Sequence, residues 1–188
     1  MQCILREKLM SWAMKLSTVS SIYRNDNVRF VAEYLAWLEA AEKDLSSIRS
    51  PICVILQSEK NTLLSVLDGY LPDYILTGTN LRKAQRAVAA HSGEVISKEI
   101  YSKIGEIDQN LAPLGDNLAR SVAVLIGKDP HLFDTLTGSQ EGVDALWRRF
   151  STEAETIPIY NYMCAKLNRV DVNYLLIDII QNILSSKT

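Results

Sequence analysis

Histidine is nearly absent from this chain: His91 and His131 are the two among 188 residues. That scarcity excludes histidine-rich metal sites, and neither residue belongs to the ExxH pair of a di-iron bundle or to an HExxH string. His91-Ser92-Gly93-Glu94 spells HxxE, but a glycine inside the string works against holding both side chains on one rigid face. His131 follows Pro130 in a turn, with no acidic or cysteine partner at a spacing that would carry a ligand assignment. No metal and no cofactor is therefore expected. Cysteine is equally sparse: Cys3, Cys53 and Cys164 are odd in number, far apart and without a CxxC. They read as reduced thiols of a cytoplasmic protein rather than as a disulfide framework. No glycine-rich phosphate loop and no GxSxG elbow occurs, which removes the common nucleotide hydrolases and the serine hydrolases.

Eight glycines and five prolines are too few for the many tight turns of an all-β protein. Long apolar runs are missing as well. The most apolar segment, 172–184, is interrupted by Asp178, Gln181 and Asn182 and falls short of the roughly 20 residues of a membrane span. Arg6, Lys8, Ser11 and Lys15 break up the N-terminal apolar residues, so no secretory leader is expected. The formal net charge is −2 and the pI about 5.7. Bulk charge thus exerts no pull toward nucleic acid or membrane, and anion binding has to come from a local patch.

What is present is helical periodicity. Leu5, Leu9, Trp12 and Leu16 form a stripe at spacings of four, three and four, predicting a helix over 2–17. It begins almost at Met1 with no N-cap before it, which fits simple fraying or a piece of a larger helical region such as the product of an internal start. A polar connector, 17–27, leads to Asn27 as N-cap of a second helix with Phe30, Tyr34, Trp37, Leu38, Ala41, Leu45 and Ile48 inward. Ser50-Pro51 is a break and a helix start, with Ser as N-cap and Pro in the first turn. The run Pro51–Gln57 fits a buried strand or a buried helix. Helix is favoured, because no other segment offers a strand partner.

Asp68-Gly69 ends that element, and 73–79 reads as a loop with a turn at Gly78. The stretch 80–111 is helical, with Ser92-Gly93 as an expected kink or break. Ile100, Ile104, Ile107 and Leu111 form its stripe, and Glu94 with Lys98 and Glu99 with Lys103 are i,i+4 pairs. Pro113 and Gly115 predict a turn before a helix over 116–127, with Leu118, Val122, Leu125 and Ile126 inward. Further helices follow through Val143–Phe150, over 159–168 and over 171–185. The last is apolar around much of its circumference, which suits a central core helix or one packed on a partner. About seven or eight helices result, and the expected fold is an all-α, single-domain helical bundle over residues 1–188.

Two sets of residues carry possible chemistry. Arg86 and His91 stand at an Arg-x4-His spacing that resembles the signature of HEPN-type ribonucleases, small helical proteins. That resemblance implies that the two act together on an RNA phosphodiester. On a straight helix, however, they point about 140° apart; His91 falls with Leu81, Ala84 and Val88, and Arg86 with Arg82. The second set is basic. Arg82, Lys83 and Arg86 cluster on one helix, Trp147-Arg148-Arg149-Phe150 interleaves charge with aromatics, and Arg120 and Lys128 lie between. Such residues follow a phosphate backbone when they converge, and otherwise form a solvated face.

Size, helical content, local basic faces and the lack of catalytic groups resemble the small subunits of type I CRISPR effector (Cascade) complexes. The resemblance implies a non-enzymatic bundle that joins protein partners in a nucleoprotein assembly and steadies a DNA or RNA strand. Arg82, Lys83, Arg86, Arg148 and Arg149 would be its phosphate contacts. In some such systems the small subunit arises from an internal start, which would suit the uncapped first helix. A third reading is a protein–protein adaptor that uses the wide apolar surface of the last helix.

Overall fold

A computed structural model of the protein describes residues 1–24, 28–76 and 79–185. The expected cap at Asn27 and turn at Gly78 lie outside them. Among the described residues the secondary structure is entirely helical, so the all-α expectation holds. The elements are α1 (Gln2–Arg24), α2 (Phe30–Ser46), α3 (Ile52–Leu67), α4 (Leu81–Lys128), α5 (Pro130–Thr135), α6 (Gln140–Thr152), α7 (Ile157–Lys166) and α8 (Arg169–Ser185). The run Pro51–Gln57 is helical, not strand. The backbone groups into two compact units, Leu5–Gly105 and Glu106–Thr188 together with Met1–Ile4; we call them the N-terminal and C-terminal units.

The N-terminal unit is built around aromatic rings at helical spacing. Phe30, Tyr34 and Trp37 of α2 stack in succession, with centroids 6.0 and 5.9 Å apart. Trp12 of α1 meets Trp37 edge-on at 6.1 Å. All four are buried, with Leu9, Leu16, Leu38 and Leu45, Leu56 and Leu63 of α3, and Val88, Ile96 and Ile100 of α4. Offset and edge-on ring pairs contribute beyond the area they bury. At the rim of this core Lys8 and the Trp12 indole N–H both donate to Asp44, and together they hold its carboxyl below the usual range.

Three boundaries differ from the sequence reading. The expected connector 17–27 is helical as far as Arg24; its hydroxyls bond back onto helix carbonyls instead of breaking the turn, Thr18 to Met14 at 3.3 Å and Ser21 to Thr18 at 2.6 Å. Ser50 caps nothing with its side chain; its hydroxyl is buried without a hydrogen-bond partner. Helix α2 ends instead with Arg49 at φ 54° and the Ser50 N–H on the Leu45 carbonyl at 3.1 Å, a Schellman-type stop. Gly69, at φ 95°, ends α3 in the same way, as Tyr70 N–H reaches the Ser65 carbonyl at 2.9 Å.

The third difference is the largest. Helix α4 runs unbroken through Ser92-Gly93, Pro113 and Gly115. Ser92 is buried and its hydroxyl shares a 2.8 Å hydrogen bond with the Tyr34 phenol; burial pushes that phenol's pKa up. Gly93 faces the same ring: an added Cβ would lie 3.6 Å from Tyr34 Cε2. The pair is a packing surface, and packing overrides the local preference to break. Pro113 lies on the exposed side of α4, where the missing N–H leaves one carbonyl of the preceding turn to solvent.

The C-terminal unit packs Leu118, Val122 and Leu125 of α4 with Val143, Leu146 and Phe150 of α6, Met163 of α7, and Val172, Leu176 and Ile180 of α8. Ser139 caps α6, accepting from Gly142 N–H at 3.2 Å. The unit also contains a buried carboxylate, Asp171, at 1 % exposure. It accepts N–H groups of Gln2 and Cys3, both at 2.9 Å, and the Asn168 side-chain amide at 2.8 Å. The Met1 ammonium lies 3.2 Å away, and Asn168 Oδ1 accepts the Asp171 N–H at 3.0 Å. The first helix is thus capped after all, by a residue at the far end of the chain.

Two outcomes check this account. Burial raises the Asp171 pKa, but the Cys3 and Gln2 N–H groups and the ammonium outweigh it, so the net shift is downward. Stability from the charged form is therefore complete above the ordinary carboxylate range, about 3.9, and is lost as pH falls through the depressed value. Asp171→Asn should cost about 1.5–3 kcal/mol at neutral pH. The deficit in denaturant unfolding should shrink below about pH 4; a pH-independent deficit would refute the charge-based account. Gly93→Ala should raise stability by up to about 1 kcal/mol, since alanine favours an unbroken helix and its Cβ meets only ordinary contact. A loss would show that the helix breaks there.

Candidate nucleic-acid interface

The five basic residues of the sequence reading divide between the two units: Arg82, Lys83 and Arg86 belong to the N-terminal one, Arg148 and Arg149 to the C-terminal one. They also differ in what they touch. Arg86 is half-buried. Its guanidinium lies 5.1 Å from the Tyr23 ring centroid and donates to the Tyr23 carbonyl at 3.4 Å. It fastens the end of α1 to α4. Arg149 is committed likewise, to Asp129 Oδ2 at 2.9 Å, and it holds that carboxyl below its usual range. Lys128 bridges Glu155 at 2.8 Å and Glu153 at 3.1 Å; its pKa is raised, chiefly by hydrogen bonds to those two carboxylates. Arg169 pairs with Asp144 and lies 5.2 Å from the Trp147 ring centroid. Much of the C-terminal unit's positive charge is therefore neutralised within the chain.

Arg82, Lys83 and Arg148 remain exposed and enter no ion pair among the described residues. Arg82 and Lys83 occupy the first turn of α4, which has no acidic residue. Asn80 begins this helix by accepting the Arg82 N–H at 2.9 Å. Positive side chains here oppose the helix macrodipole, which favours anions at an N-terminus. Their position is unfavourable for helix stability and favourable for an approaching anion, because the helix end and the side chains attract it together.

The Arg86–His91 pair separates as the helical geometry requires, but His91 is not on the buried side. It is exposed, and its ring packs on Tyr74 with centroids 5.3 Å apart. Leu81, grouped with it in sequence, is 44 % exposed. Ala84 and Val88, grouped with it as well, are fully buried, so the covering contacts reach those two positions but not Leu81 or His91, and a helical wheel carries no information about where they stop. Arg86 contacts Tyr23 and His91 contacts Tyr74. No shared point of action for the two is formed. Among the described residues no group of three or more His, Cys, Asp or Glu is placed to hold a metal ion.

The sequence reading took 73–79 as a plain loop. In the structure Tyr70, Tyr74 and Leu76 are 75, 55 and 82 % exposed, an aromatic and apolar surface next to the start of α4. The signal was available: two tyrosines among Asp, Pro and Gly, outside any helical stripe. The aromatics beside the other arginines behave differently, since Trp147 and Phe150 are both buried.

The apolar last helix proves to be core first. Ile180, Leu176 and Val172 are buried within the unit. Beside them a groove of about 540 Å³ runs between Ala119, Ala123 and Ile126 of α4 and Ile179 and Ile183 of α8. In the N-terminal unit α1 and α4 border a second groove, of about 660 Å³. Glu94 and Lys98 both line it and form no ion pair with each other among the described residues. No helix among the described residues is long and apolar enough to cross a membrane. Compared with protein-family models, curated proteins and solved structures, the chain matches none.

Proposed function

We propose that the protein is a non-enzymatic helical subunit that binds a nucleic-acid backbone, with the start of α4 as its phosphate-facing surface. The observation that carries this reading is the placement of Arg82 and Lys83. They are exposed, unpaired among the described residues, and located where the helix dipole already points its positive end outward. A cation that only kept the surface solvated would be better placed near the helix C-terminus. Arg148 is the third available contact. Arg86 and Arg149 act in support, one fixing α1 against α4 and the other fixing Asp129. The net charge of −2 restricts attraction to this patch and predicts modest affinity with strong salt dependence. Membership of a larger assembly, as in the small subunits the sequence resembles, supplies what one patch lacks, since several weak contacts combine by raising effective concentration.

The test is binding across a salt series. Arg82→Ala with Lys83→Ala should weaken binding to a labelled oligonucleotide and reduce the slope of log K against log salt by about 0.7–0.9 per residue removed. An unchanged slope with intact affinity would overturn the assignment. Arg149→Ala, which breaks only the pair with Asp129, should leave that slope unchanged.

A further inference from the structure

The geometry points to a base-stacking platform formed by Tyr74 and His91, which makes single-stranded nucleic acid the strand type bound at the start of α4. This rests on the phosphate-binding reading above and adds the part of the ligand that the phosphates do not define. Lys83, Ala87 and His91 follow one another at i, i+4 and i+8, and all three are exposed. They therefore rise along one side of α4 over about 12 Å. Ala87, with its single methyl, keeps the ledge between Lys83 and His91 low and open. At its upper end the His91 ring meets Tyr74 at 5.3 Å with the planes tilted by 52°. Tyr74 is 55 % exposed, so part of its ring surface is open to solvent.

An exposed ring pair at the end of a positively charged ledge is the arrangement by which proteins hold single strands. The cation takes the phosphate, and the rings take the π-face that every base has. Duplex bases are stacked on each other and cannot use it. The charges around Tyr74 favour the same polarity of binding. Asp73 adjoins it in sequence, and Glu59 is close enough to help raise the phenol's pKa, behind burial. Both carboxylates repel phosphate, so a strand running from Lys83 toward Tyr74 turns its bases, not its backbone, to the rings. Leu76 and Tyr70 of the same loop are strongly exposed as well.

The experiment compares three labelled probes at one salt concentration: a 15-residue oligothymidine, an abasic strand of the same length, and a 15-base-pair duplex. Wild type should bind oligothymidine about tenfold tighter than the abasic strand. Tyr74→Ala with His91→Ala should abolish that preference while leaving abasic binding and its salt slope unchanged, and Tyr74→Phe should retain it. Equal wild-type affinity for oligothymidine and abasic strand, with a normal salt slope, overturns the stacking platform and leaves the phosphate reading standing. Absence of salt-dependent binding to all three probes overturns both. A preference that survives the double substitution removes these rings from the site, as would be expected of a loop that serves a protein partner instead.

Discussion

A buried carboxylate must be paired or neutral, and in this protein that constraint fixes where the first helix begins. Asp171 belongs to the first turn of α8, where its negative charge already suits the helix dipole. From there it takes the first N–H groups of α1. One side chain thus satisfies backbone donors of one helix while stabilising the end of another. Asn168 completes the arrangement by exchanging two hydrogen bonds with Asp171, one to its backbone and one to its carboxylate. Loss of the charge would strand several donors at once, which is why a single substitution there outweighs any of the surface ion pairs.

The helical class was legible because it rests on the 3.6-residue recurrence of apolar side chains, a local property. Trp12, Trp37, Ile100 and Leu176 are buried where the periodicity put them, while Leu5 and Ile48 at the ends of their stripes are only half-buried. The stop at Gly69 was legible too, since it needs only a residue tolerant of positive φ. What escaped were features set by partners distant in sequence. The N-cap of α1 is supplied from position 171. The continuity of α4 through Ser92-Gly93 depends on Tyr34, 58 residues earlier. Local preference favoured a break at both places, and tertiary contact decided otherwise.

The candidate site shows the same division. Counting arginines and lysines picks out the helix that carries exposed cations, and the wheel separates Arg86 from His91, as the structure does. It could not reveal that Arg86 contacts Tyr23 or that Arg149 pairs with Asp129, because a contact between elements leaves no periodic trace. Nor could it show that His91 is exposed, since burial depends on which neighbouring helix ends where. Of the three basic residues that remain available, Arg82 and Lys83 stand where a stability argument does not explain them, at the positive end of a helix. Beside them the loop between α3 and α4 presents aromatic surface to solvent.

Pro113 bears on how α4 behaves as a mechanical object. It has no amide hydrogen, and the carbonyl four residues before it has no helical donor, so the ladder of hydrogen bonds is interrupted although the backbone stays helical. In amide exchange α4 would then register as two protected stretches with a weak seam around 109–113. Geometric continuity does not make the helix a single cooperative element. The two hydrogen-bonded stretches of α4 are therefore joined by backbone geometry at Pro113 rather than by an unbroken ladder.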